Sequence, residues 1–196
     1  MPTIKPNINR RGVLRLGAGA LGAAALGVTR RSFPAAADPV GAPTMMTGSF
    51  VSAARGGAVT NWAIARPPGQ TTALRPLIAL HGKGSDTASV MAGGVEQGLA
   101  QAVAAGLPPF AVVAVDGGGG YWHQRASGED SGAMVLGELL PMLSQKGLDT
   151  SRVGFLGWSM GGYGALLLGA RLGPARTAAI CAVSPALWVS PGAAAP

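Results

Sequence analysis

One cysteine, Cys181, in a chain of 196 residues excludes a disulfide framework. Its position far down the chain also excludes lipid attachment to an N-terminal cysteine. Two histidines and that cysteine form no cluster at metal-ligand spacing, so no metal or other cofactor is expected. No pair of carboxylates is placed for glycoside chemistry. Acidic residues are absent from the first 37 positions, where six of the 15 basic residues lie (Lys5, Arg10, Arg11, Arg15, Arg30 and Arg31). From Asp38 onward nine basic residues face eight acidic ones, so of the formal charge of +7 the leader carries +6 and the remainder +1. A nucleic-acid surface would carry its charge on the folded domain, and nucleic acid is not expected as a partner. What the chain has in quantity is glycine, 32 residues, within 48% apolar residues, the composition of about one globular domain.

The apolar run from Leu16 to Val28 counts 13 residues. That falls within the roughly 7 to 15 of a signal-peptide core and short of the roughly 20 that span a bilayer. It follows Asn9-Arg10-Arg11-Gly12-Val13 and precedes Arg30-Arg31 and Pro34-Ala35-Ala36-Ala37. The order resembles a twin-arginine export signal, although Asn9 and Val13 stand where that pattern has Ser or Thr and Phe. Residues 1–37 are therefore expected to act as an export signal read by the twin-arginine machinery, placing the mature chain in the envelope, periplasm or medium. Gly17-Ala18-Gly19-Ala20-Leu21-Gly22 matches the dinucleotide fingerprint in letters only, because no strand precedes it and it lies inside the leader.

Residues 38–47 read as a linker, and residues 48–196 as a partial catalytic-type domain. Ser49 to Ala54 and Val59 to Ala65 flank Arg55-Gly56-Gly57-Ala58 as a β-hairpin. Short apolar runs at 77–80, 110–115, 153–156 and 178–183 then alternate with helical patterns at 89–105, 132–144 and 162–172. This alternation predicts an α/β fold with a mostly parallel sheet covered by helices on both faces, since its strands are continuously apolar rather than alternating. Cys181 is expected to be a small buried hydrophobe in the last of these strands.

Gly157-Trp158-Ser159-Met160-Gly161-Gly162 follows an apolar strand and opens a helix. This is G-x-S-x-G in the strand, turn, helix setting that gives it meaning, with glycines where side chains would collide beside a strained serine. Ser159 is the expected nucleophile. Leu77-Ile78-Ala79-Leu80 runs into His81-Gly82-Lys83-Gly84, a His-Gly-x-Gly loop of the kind that gives one backbone N–H to an oxyanion hole. The N–H groups of Lys83 and Met160 are the expected donors. Trp62, Trp122, Trp158 and Trp188 read as packing or pocket walls. His81, Gly82, Asp116, Trp122 and Trp158 are expected to line the substrate site.

Together these motifs resemble the α/β-hydrolase superfamily, and within it the secreted serine-esterase branch of S-formylglutathione hydrolase-like, feruloyl-esterase-like and mycolyltransferase-like proteins. The resemblance runs over roughly residues 48 to 190 and includes Val115-Asp116-Gly117-Gly118 and Ala182-Val183-Ser184-Pro185. It implies acyl transfer from a small-molecule or envelope ester through a serine ester intermediate. In that fold the acid and histidine of the triad follow the serine in the chain. Residues 160–196 contain no His, Asp or Glu. The expectation is a C-terminally shortened member with impaired turnover, its strand near residue 180 left as an open sheet edge. His123, in the loop after the second parallel strand, is the stand-in base, with Asp116, Glu129 or Asp130 to orient it. The alternative is a noncatalytic envelope or carbohydrate-binding protein on the same fold.

Overall fold

The computed structural model describes residues 44–187. The leader, most of the 38–47 linker and Trp188 lie outside the described residues. Six strands form one sheet in the order β1-β2-β4-β3-β5-β6. Strands β1 (Met45–Ser52) and β2 (Ala58–Ala65) pair antiparallel, and β2 lies antiparallel to β4 (Ala111–Val115). Strands β4, β3 (Pro76–Leu80), β5 (Val153–Trp158) and β6 (Thr177–Val183) run parallel. The hairpin and the four parallel strands match the sequence reading. The linker expectation fails at 45–47, because β2 is eight residues long and its full register extends β1 back to Met45 opposite Ala65.

Both faces of the central strands are covered. Ile64, Ile78, Val113 and Phe155 join one apolar cluster with Val135, Leu139 and Leu168. Ala63, Ala79, Val112 and Ala114 join the other with Val90, Met91 and Leu99. Neighbouring residues of one strand thus enter opposite cores, which is why these strands read as unbroken apolar runs.

The helix expected over 89–105 is two helices, α1 (Thr87–Ala92) and α2 (Val95–Ala104). Gly94 sits at φ +85 between them, a conformation that no helix interior holds. Asp86 caps α1 by accepting the Ser89 N–H at 2.7 Å, so the helix starts two residues ahead of the sequence estimate. The helix expected over 132–144 runs as α3 (Ser131–Met134), a π-helical turn (Val135–Leu139) and α4 (Leu140–Gln145). Pro141 has no N–H for the carbonyl four residues back, and the wider turn just before it relieves the clash. Helix α5 (Met160–Leu172) starts at the end of β5 and packs against β5 and β6.

Strand β6 differs from the other parallel strands. Most of its residues are exposed, Cys181 among them. The expectation that this thiol is buried is corrected, because among the described residues no helix covers the β6 face that carries it.

Candidate active site

The turn between β5 and α5 is closed by contact. A Cβ on Gly157 would stand 2.1 Å from the Gly161 carbonyl oxygen, and one on Gly161 would stand 1.9 Å from that of Leu80. Only hydrogen fits at either position, and the second approach presses the start of α5 against the end of β3. Ser159, between them, adopts φ +53 and ψ −119 and is exposed. Its own N–H donates to the Val183 carbonyl at 3.0 Å, and its carbonyl accepts the N–H groups of Tyr163 and Ala186. The strained backbone is therefore held from both α5 and the segment after β6.

Met160 opens α5 with its side chain fully buried, at 0% exposure. Its N–H, like that of Lys83, has no backbone acceptor among the described residues, as the first N–H groups of a helix have none within it. Because the turn abuts the end of β3, these two amides belong to adjoining backbone segments. Helix α5 adds the partial positive charge of its N-terminus, which favours negative charge developing beside it.

The expected pocket residues divide. Gly82 and Trp158 meet, since a Cβ on Gly82 would lie 3.1 Å from the Trp158 indole nitrogen. His81 is 1% exposed and Trp122 0%. Burial withdraws both from ligand contact, and that expectation is corrected. Trp122 instead wedges its indole beneath the loop, close against Gly117 and Gly164, with its ring edge-on to His81 at 5.1 Å between centroids. Tyr121 and Trp122 both have positive φ, 57° and 59°, so the loop is bent sharply to drive the indole inward. Trp62 is buried in the core.

Asp116 is a loop fastener. It accepts the Thr87 N–H at 2.8 Å and the Asn61 side-chain amide at 2.8 Å. Partial burial pushes its carboxyl pKa up, but these hydrogen bonds, with His81 nearby, outweigh burial and leave it below the usual carboxylate value. It borders a cavity of about 770 Å³ between β1, β2 and α1, lined also by Trp62, Met91 and Glu96 and not by Ser159, Met160 or Lys83. The carboxylates there are already engaged, Asp86 in the α1 cap and Glu96 by the Thr44 hydroxyl. This cavity is accordingly set apart from the serine.

His123 makes its hydrogen bonds within its own loop. One ring nitrogen contacts the Gln124 carbonyl at 2.8 Å, and the other faces the Arg125 guanidinium at 3.4 Å. Its suggested carboxylate partners are held elsewhere. Glu129 pairs with Arg55 at 3.0 Å, and Asp130 caps α3 through the Ala133 N–H at 2.8 Å. Both ring nitrogens of His123 are thus engaged inside its own loop, and none of the three suggested carboxylates orients it.

Sequence reading passed over Tyr121 and Tyr163. Their rings lie 6.2 Å apart, Tyr163 lies 6.1 Å from His123, and Lys83 Nζ stands 5.8 Å from the Tyr121 ring. The only signal for them was proximity in sequence, Tyr163 one helical turn after Ser159. Among the described residues no group of three His, Cys, Asp or Glu is placed to hold a metal.

Solved structures share this fold. A ferulic acid esterase is 22% identical at TM-score 0.65, covering 78% of this chain and 61% of its own. An S-formylglutathione hydrolase from Staphylococcus aureus is 22% identical at 0.60, covering 72% and 57%. The enterobactin esterase from Shigella flexneri is 21% identical at 0.57, covering 74% and 38%. The fold is the α/β-hydrolase fold. The chain spans less than two thirds of the length of each of these three structures. No protein-family model and no curated protein matches it.

Proposed function

We propose that this α/β-hydrolase chain is the nucleophile-bearing part of an exported serine esterase. The observation that carries the reading is Ser159, exposed at φ +53 on a strand-to-helix turn pressed against the His81–Gly84 loop. In the reaction, Ser159 Oγ adds to an ester carbonyl carbon while its proton passes to a base. The carbonyl oxygen becomes an oxyanion that accepts the N–H groups of Met160 and Lys83. Collapse expels the alcohol with a proton and leaves an acyl-serine, which water or another alcohol cleaves. Two neighbours are esterases by name, which supports ester substrates as the class, whether small molecules or envelope esters.

The 196 residues supply nucleophile and donors without an acid and histidine after the serine. Loss of such a pair costs around 10⁶ in turnover, about 8 kcal/mol, while an oxyanion hole and binding alone retain roughly 10³ to 10⁴ over water. Turnover by this chain alone is therefore expected to be weak, and to rise when a segment bearing that pair is added. The leader at 1–37 supports export by the twin-arginine route.

The test is hydrolysis of a short-chain p-nitrophenyl ester by the purified chain beside Ser159→Ala, with phosphonate labelling read by intact mass. Labelling that disappears in the variant supports the esterase reading. The engagement of both His123 ring nitrogens by Gln124 and Arg125 favours a second reading, a noncatalytic envelope or carbohydrate-binding protein. A folded wild type that resists phosphonate and binds saccharide equally well as Ser159→Ala would establish that one instead.

A further inference from the structure

His81 is buried without being part of the apolar core, and its two ring nitrogens have separate tasks. Nε2 accepts the Gly117 N–H at 2.9 Å. A nitrogen that accepts carries no proton, so the proton sits on Nδ1, which lies 2.8 Å from the Gly82 carbonyl oxygen and donates to it. The same carbonyl accepts the Ser85 N–H at 3.2 Å, closing a turn around Gly84 at φ +78. Among the described residues no peptide bond is cis, so the carbonyl of Gly82 and the N–H of Lys83 point in opposite directions across one rigid plane. Drawing the carbonyl inward aims the N–H outward. The imidazole is itself fixed by Trp122, whose ring meets it edge-on.

We propose that His81 is a positioning residue that clamps the Gly82–Lys83 peptide plane and so aims the Lys83 N–H at the developing oxyanion. The proposal rests on the serine-esterase reading. It assigns His81 no contact with substrate and no part in proton transfer. Its second bond, from the Gly117 amide, ties the same clamp to the end of β4, so the oxyanion loop and the Tyr121–Trp122 bend are held by one side chain.

Two isosteric variants separate the tasks. His81→Asn places an amide nitrogen near the Nδ1 position and keeps the bond to Gly82. His81→Gln places its amide oxygen near the Nε2 position and keeps only the bond to Gly117. Each loses one buried hydrogen bond, so their melting temperatures should fall alike. The rate of phosphonate labelling at Ser159 should remain near wild type in His81→Asn and drop about 10² to 10³-fold in His81→Gln, the loss expected for one oxyanion donor. Nitrogen-15 NMR of the full chain at neutral pH should find His81 in the Nδ1–H form. The Nε2–H form, or equal losses of labelling in the two variants, would overturn the clamp. A wild-type chain unlabelled at Ser159 would instead sink the esterase reading. The clamp is then decided by the tautomer and by the Lys83 amide resonance, displaced in His81→Gln and retained in His81→Asn.

Discussion

At Ser159 a non-glycine residue occupies φ +53, which costs about 1 to 3 kcal/mol in backbone strain. Glycine adopts that conformation freely but adds unfolded-state entropy of roughly 0.5 to 1 kcal/mol. Ser159→Gly should therefore stabilise the fold by about 0.5 to 2 kcal/mol, a rise of roughly 1 to 8 °C in melting temperature at this size, and abolish phosphonate labelling. Ser159→Ala should abolish labelling without that rise. Equal melting temperatures for the two variants in calorimetry would deny the strain. Gly157 was legible in the sequence because the contact that demands it, with Gly161, is four residues away, while Gly161 is demanded by the distant Leu80 carbonyl and was legible only through the motif. The burial of His81 was not legible, since its acceptor role depends on Gly117, 36 residues away, and on an indole whose inward turn needs two consecutive positive φ angles. His123 shows the same limit in reverse. Its loop was placed correctly, but nothing local in the sequence says that its neighbours Gln124 and Arg125 would engage both ring nitrogens.

Between elements, Asp116 links the end of β4 to α1 and to β2 through the Thr87 N–H and the Asn61 amide. Its carboxyl pKa is lowered in the folded chain, so its contribution to stability is fully present above the unfolded-state value and is lost as pH falls through the folded one. Asp116→Asn replaces one acceptor oxygen by an NH₂ that meets the Asn61 donor. At pH 6 this variant should be less stable by about 1 to 2 kcal/mol. The gap should narrow only below about pH 4, as pH falls past the unfolded-state value and through the lowered folded one, where the wild-type carboxylate takes up its proton. Urea denaturation at both values checks this, and a gap independent of pH would assign the loss to packing. Asp86, lowered by the Ser89 hydrogen bond, and Asp149, lowered by Ser151 and Arg75, contribute equally to both proteins. Element order and strand identity were legible because apolar runs and glycine stops are local. The division of α1 from α2 and the π turn ahead of Pro141 were not, because periodicity alone does not say whether Gly93-Gly94 or a proline is absorbed or breaks the helix.

For the whole molecule, the consequence of the strand order lies at β6. Its outer edge has no partner among the described residues, and Thr177–Val183 contains neither charge nor proline to discourage pairing. Ile180 is 41% and Val183 48% exposed. On the α2 side, Leu77, Leu156 and Trp158 border an apolar groove of about 420 Å³. Such an edge is a template for another strand, and at micromolar concentration the other strand available to a purified chain is a second copy. Self-association that grows with concentration is expected in sedimentation velocity. Cys181→Lys places a charge in the middle of β6 at an exposed position and should return the chain to monomer with a stability within about 0.5 kcal/mol of wild type, as for surface substitutions. Cys181→Ser should associate as wild type does, which separates edge pairing from a disulfide between copies. If both variants become monomeric, the thiol joins the copies and the edge does not. If the wild type is monomeric at every concentration, β6 is already covered, and hydrogen exchange at Ile180 and Cys181 should then be as slow as in β5.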